Sequence, residues 1–234
     1  MQDMPRLSLR RAIRQTVTNA LSCHRLHDRA SHIVSKTVES YRSRFILRLV
    51  GRSLIDYLGR MALVDVERTY LELLFPGALR RAGSPGDRFS LRLESPCSVE
   101  TYRWFYAEVG RAYFWSDRLR WSDGALEQHL RHPDVCLWIV RESEVPAGFF
   151  ELMRHEDGSV EIAYFGLLAP FHGRGWGKFL LTRAVDEAWA HGANRVWLHT
   201  CTLDGPAALP NYVARGFQPF RSEHFQEEIP DPVA

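Results

Sequence analysis

The chain has 234 residues, 45% of them apolar and 25% charged, with a formal net charge of +2. That composition fits a soluble globular protein with a sizeable core, and the longest apolar run, VCLWIV at 135–140, is far too short to span a membrane. The four cysteines, Cys23, Cys97, Cys136 and Cys201, fall without a CxxC pair or a nearby histidine cluster, so neither a zinc site nor a disulfide framework is indicated.

Charge divides the chain in two. Residues 1–64 hold 12 Arg and Lys against 4 Asp and Glu, a balance of +8, whereas the remainder holds 18 against 24, a balance of −6. Residues 1–64 therefore read as a basic, helical N-terminal extension and 65–234 as the principal domain. Within the extension, SRFILRLVGRSLIDYLGRM (43–61) spaces Ile46, Leu49, Leu54, Leu58 and Met61 as a helix would. Such a helix can pack on the main domain, attach to anionic lipid or nucleic acid, or serve as an organelle-targeting segment. No apolar stretch follows Arg6, Arg10, Arg11 and Arg14 as a secretory signal would require, so the cytosol is the expected compartment.

Beyond residue 64 strands and helices alternate. Gly83, Pro85 and Gly86 punctuate the chain before FSLRLE (89–94), an alternating strand. Ser98 and Ser122 are N-cap signals for helices running to Tyr113 and Arg131, and VCLWIV and AGFFELM (147–153) read as strands. The EDGS turn at 156–159 leads into VEIAYFGLL, a strand over 160–168. With Asp157-Gly158 as a two-residue loop, Glu151 falls opposite Tyr164 and on the other face from Glu161, so that only one of the two carboxylates would face a substrate. A helix from about Gly175 to His191 gathers Leu181, Ala184, Val185, Ala188 and Trp189 on one face. RVWLHT (195–200) is a further strand, AALPNYVARGF holds a short helix, and a last strand covers 218–225.

FHGRGWGKFLL (171–181) sits at a strand-to-helix junction, where glycines let amide N–H groups converge on an anion. A P-loop would need Gly at 172 and Ser or Thr at 179, where His172 and Phe179 stand; a dinucleotide fingerprint needs GxGxxG, whereas Gly173, Gly175 and Gly177 form GxGxG. The stretch resembles instead the pyrophosphate loop of the GNAT N-acetyltransferase superfamily, Gln/Arg-x-x-Gly-x-Gly/Ala. Tyr212-Val213-Ala214-Arg215-Gly216-Phe217 is similar to the family's second mark, a tyrosine before a Gly-Phe pair. The departure is His172, where the family usually carries Gln or Arg.

Over roughly residues 65–225 the resemblance implies an α/β (α+β) fold: a mixed, mostly antiparallel sheet flanked by helices. The sheet would open into a V between the fourth and fifth strands counted from Phe89, here 160–168 and 195–200. Acetyl-CoA would lie in the V as a co-substrate, with no metal. Its binding residues would be Leu167, Leu168, His172, Gly173, Arg174, Gly175, Trp176, Gly177 and Lys178. The pantetheine arm would pair with the backbone near Leu167 and Leu168, and the Leu167 N–H would polarise the thioester carbonyl.

Tyr212 is implied as the acid for the leaving thiolate. Glu161, eleven residues before His172 as in the histone-lysine-acetylating branch, is implied as the base. Glu151 and His199 are lesser alternatives. Tyr102, Trp104, Phe105, Tyr106, Tyr113, Phe114 and Trp115 form either a wall for a cationic or aromatic amine or part of the core. The expected activity is N-acetylation of a primary amine by direct attack in a ternary complex. A small molecule is favoured over a protein lysine, because no added recognition domain is identifiable. The alternatives are a non-catalytic acyl-CoA-binding sensor, and a protein attached to membrane or nucleic acid through residues 1–64.

Overall fold

The structure, a computed structural model, describes residues 61–86 and 88–230. Residues 1–60 of the basic extension lie outside the described residues, and with them the helix expected at 43–61 except for Met61, which opens a strand. Seven strands and four α-helices occur among those described. The strands are β1 (Met61–Leu73), β2 (Phe89–Glu94), β3 (Val135–Glu142), β4 (Val145–Arg154), β5 (Val160–Leu167), β6 (Val196–Cys201) and β7 (Gln218–Pro230). The helices are α1 (Val99–Gly110), α2 (Asp123–Leu130), α3 (Trp176–Ala190) and α4 (Ala208–Ala214). The helix starts follow from local chemistry: Ser98 Oγ accepts from the Thr101 N–H at 3.1 Å and Ser122 Oγ from the Ala125 N–H at 3.2 Å. α1 stops earlier than its sequence pattern suggests, because the chain tightens into a 3-10 turn at Arg111–Tyr113 and packs Trp115 against Gly110, where any Cβ would overlap the indole. Among the described residues no helix is long and apolar enough to cross a membrane.

One mixed sheet runs β2-β3-β4-β5-β6-β1-β7, antiparallel at every junction except β5–β6. β1 has no counterpart in the sequence reading, and the boundary read at residue 64 falls inside it. Its residues Arg68–Leu73 pair with β6 while Met61–Glu72 pair with β7, so it is flanked on both sides from Arg68 to Glu72. Val, Thr, Tyr and Leu in VDVERTYLEL suit a pleated surface, and Leu71 and Leu73 reach the core beside Leu198 and Val196.

The two sheet faces carry separate cores. α3 lays Leu180, Leu181, Ala184 and Val185 over Leu152, Val160 and Ile162, and α1 and α2 place Tyr102, Phe105, Tyr106 and Leu126 over Leu137, Ile139 and Phe149. Between β5 and β6 the ladder has only two rungs, Val160↔Val196 and Glu161↔Trp197. Beyond them a cavity separates Phe165 and Leu167 from Leu198 and His199, which is the V-shaped opening expected at this place.

The β4–β5 register corrects the sequence reading of the two carboxylates. The connection is wider than a two-residue hairpin, with the His155 N–H bonded to the Ser159 carbonyl at 2.9 Å and the rungs Arg154↔Val160, Met153↔Glu161 and Leu152↔Ile162. A bulge at Ala163 then restores Glu151↔Tyr164. Glu151 is opposite Tyr164 as expected, but Glu161 now pairs with Met153, two residues along β4 from Glu151. Both carboxylates therefore lie on the same face, because one extra residue inverts the alternation.

Candidate active site

The edge of β5 that faces the V is set by ladder geometry. The Leu168 N–H bonds the Ala147 carbonyl at 2.8 Å, so the alternation of an antiparallel pair directs the N–H and C=O of Leu167 away from β4 and into the gap. Of the expected pair, Leu167 thus offers its N–H to the opening, its carbonyl being taken by His172, whereas the Leu168 N–H is already spent. His172 accounts for its own departure from the family pattern. Its Nε2–H donates to the Leu167 carbonyl at 2.9 Å, a bond that fixes the tautomer, since a carbonyl can only accept. The imidazole braces the glycine loop against the last residue of β5.

Gly173 and Gly175 take left-handed φ values of +71° and +79°, and Gly175 is the N-cap of α3. Nothing lies within 4 Å of where a Gly173 Cβ would stand, so glycine is required there for its conformation rather than for space. α3 has no side-chain cap, which leaves the amides of its first turn without a side-chain partner. Leu167, His172, Gly173, Gly175, Gly177 and Lys178 line the cavity of about 730 Å³. Trp176 instead packs into the core near Phe171 and Phe89, and Arg174 is held by Glu142 at 2.7 Å. Those two contribute backbone to the loop and not side chains to the cavity. An open strand edge, a loop that needs left-handed glycines and uncapped amides beside Lys178 together fit a thioester-bearing arm that ends in a pyrophosphate.

Tyr212 on α4 lines the same cavity, its ring packed near Phe165 and Phe217. Burial, reinforced by Asp204 and Tyr113, raises its pKa, so the phenol stays protonated and able to donate. Glu161 sits at the closed end of the V, 7% exposed and off the cavity wall. His155 Nε2 donates to its Oε2 at 3.1 Å, and His199 Nε2 lies 3.9 Å from its Oε1. Burial raises the Glu161 pKa, and the hydrogen bond and charge of His155 oppose that rise. His199 does line the cavity, and partial desolvation followed by the charge of Arg68 lowers its pKa.

Glu151 is fully buried, and both of its oxygens are committed. The Tyr102 hydroxyl donates to Oε2 at 2.6 Å, His129 Nε2 meets Oε1 at 2.9 Å, and Arg118 lies 3.6 Å from Oε1. It pins α1, α2 and the turn at Arg118 to β4. The aromatic-rich stretch divides between two duties: Tyr102 and Phe105 are core with Trp104 packed against them, Tyr113, Phe114 and Trp115 reach the cavity, and Tyr106 does both.

Sequence reasoning missed the far wall, formed by Arg68, Phe225 and Glu227 from β1 and β7, and Asp204 from the turn after β6. The alternation in VDVERTYLEL was a signal for β1, but nothing local indicated that this strand would border the cavity. Among the described residues, no group of three or more His, Cys, Asp or Glu is placed to hold a metal ion.

The family model described as the acetyltransferase (GNAT) family matches residues 98–217, just over half of the chain, and the chain belongs to that family. Among solved structures it is similar to a GCN5-related N-acetyltransferase from Kribbella flavida, at 22% identity and a TM-score of 0.52, covering 74% of this chain and 62% of that one. A GCN5-related N-acetyltransferase from Sphaerobacter thermophilus is similar at 17% identity and a TM-score of 0.52, covering 77% and 56%. A conserved protein of unknown function from Staphylococcus epidermidis ATCC 12228 follows at 19% identity and a TM-score of 0.50, covering 74% and 64%. The chain therefore spans less than two thirds of the length of these relatives, and identities this low speak for the fold alone. No curated protein matches.

Proposed function

We propose that the protein is an acetyl-CoA-dependent N-acetyltransferase that acts on a primary amine of a small molecule. The observation that carries this reading is one cavity bordered by the open Leu167 edge, the glycine cradle and Tyr212. Bound there, acetyl-CoA supplies the acetyl group as an activated thioester. The amides from Gly173 to Lys178 hold the pyrophosphate, with Lys178 adding charge. The Leu167 N–H stabilises negative charge on the carbonyl oxygen under attack, and Tyr212 gives its proton to the departing sulfur. The site around Glu161 receives the proton that the ammonium must lose before its nitrogen can attack.

Calorimetric titration of acetyl-CoA into the wild type and Gly175→Glu tests the reading. Binding to the wild type with loss in the variant, whose carboxylate would occupy the anion site, supports it; no binding to the wild type refutes it. Turnover then separates an enzyme from a sensor. Tyr212→Phe and Glu161→Gln should each lower kcat by about 100- to 10,000-fold, whereas a sensor would bind acetyl-CoA and acetylate nothing.

A further inference from the structure

Glu161 occupies the last rung before β5 and β6 part, and it does not reach the cavity wall. His199 does. It stands two residues along β6 from Trp197, on the same face as Glu161, with Nε2 3.9 Å from Oε1 of Glu161. The other carboxylate oxygen is held by His155 at 3.1 Å, and the His155 ring rests near Trp197 with its centroid 5.3 Å away. The carboxylate thus stands between two imidazoles, only one of which borders the cavity.

We propose that His199 is the group that takes the proton from the acceptor ammonium, and that Glu161, held by His155, is a positioning residue that stabilises the resulting imidazolium. This inference rests on the acetyltransferase reading and deepens it. The ammonium N–H bond breaks with its electron pair left on nitrogen for the attack, and a new N–H bond forms on the ring of His199. A separation of 3.9 Å is an electrostatic pairing and not a hydrogen bond, so Glu161 acts by its charge. His199 is 37% exposed and can release the proton to water once the product leaves.

The groups around the ring come from every neighbouring element. Arg68 and Tyr70 face it from β1, Glu161 from β5, Glu223 from β7, Asp204 from the turn after β6 and Asp117 from the turn after α1. Arg68 is itself paired with Glu223 at 3.0 Å. The lowered pKa of His199 leaves the imidazole neutral at neutral pH, with the lone pair that a base requires.

The test uses the full-length protein. NMR titration of the imidazoles in the wild type and in Glu161→Gln should show the His199 pKa falling when the neighbouring negative charge is removed; an unmoved titration overturns the coupling. Initial rates with acetyl-CoA and a panel of primary amines from phenethylamine to cadaverine, from about pH 5 to 9, should show an acidic limb in kcat/KM at the His199 pKa. In Glu161→Gln that limb should move with the NMR value. His199→Ala should lose about 100- to 10,000-fold in kcat, be partly rescued by added imidazole, and bind acetyl-CoA as the wild type does. If His199→Ala keeps its rate and its acidic limb while Glu161→Gln loses both, Glu161 is the base and the proposal is wrong. A wild type that binds no acetyl-CoA overturns the parent reading instead, and binding without acetylation of any amine in the panel overturns both in favour of a sensor.

Discussion

At Glu151, Tyr102, His129 and Arg118 converge on a carboxylate with no exposed surface. Glu151→Ala should cost about 3 to 5 kcal/mol in urea unfolding, because it strands a guanidinium and a phenol that have left water. Glu161 should behave in the opposite way. Burial raises its pKa in the folded state, so between the ordinary carboxylate value and the raised one the folded chain holds more proton than the unfolded chain. Stability contributed by this group therefore falls as pH rises through that window, and above it the ionised form is a net cost. Glu161→Gln is expected to raise Tm at about pH 8, and that gain should shrink at about pH 4, where both side chains are neutral. Scanning calorimetry at the two pH values checks the sign, and a gain that grew on acidification would contradict it. Tyr212 and the loop from His172 to Lys178 were legible as residues because their spacing is local. The shared face of Glu151 and Glu161 was not, because a single bulged residue at Ala163 reverses the alternation and leaves no mark in composition.

β1 is the element that most changes the picture of the domain. Thr69 pairs with Thr200 on one side and Ser222 on the other, so the strand has a neighbour along both edges at that point. Thr69→Pro removes a ladder donor from a flanked strand and should destabilise the fold by about 3 kcal/mol or more, read as a lower urea midpoint at unchanged slope. The contact of α1 with β5 makes a second element-scale prediction. A Cβ at Gly166 would overlap Val109 Cγ1, so Gly166→Ala must push α1 off the strand that carries Leu167. The expected cost is about 1 to 3 kcal/mol, together with weaker acetyl-CoA binding by calorimetry. The serine caps of α1 and α2, the apolar face of α3 and the strands from Phe89 onward were readable because each depends on neighbours within a turn or two. The place of β1 was not, since its partners in β6 and β7 lie more than a hundred residues away along the chain.

For the whole molecule, the cavity couples ligand binding to folding, since only the folded chain assembles β5, β6, the glycine loop and α4 around one space. Acetyl-CoA at about 100 times its Kd should add about 2.7 kcal/mol to stability. For a chain of this size that is a rise in Tm of about 5 to 10 °C. A thermal-shift titration should show it in the wild type and not in Gly175→Glu. A shift that survived in the variant would place the ligand elsewhere.

The sequence by itself determined the strand and helix order from Phe89 onward, the glycine loop, the Tyr212 motif and hence the family, because helix caps, turn residues and phosphate cradles are built from amino acids close together in the chain. The tertiary structure alone decided that β1 enters the sheet between β6 and β7, that both buried carboxylates share a face, and that His199 rather than Glu161 borders the cavity. Those outcomes depend on pairing register and strand order, which are fixed by the joint burial of distant segments and not by the preferences of any one of them.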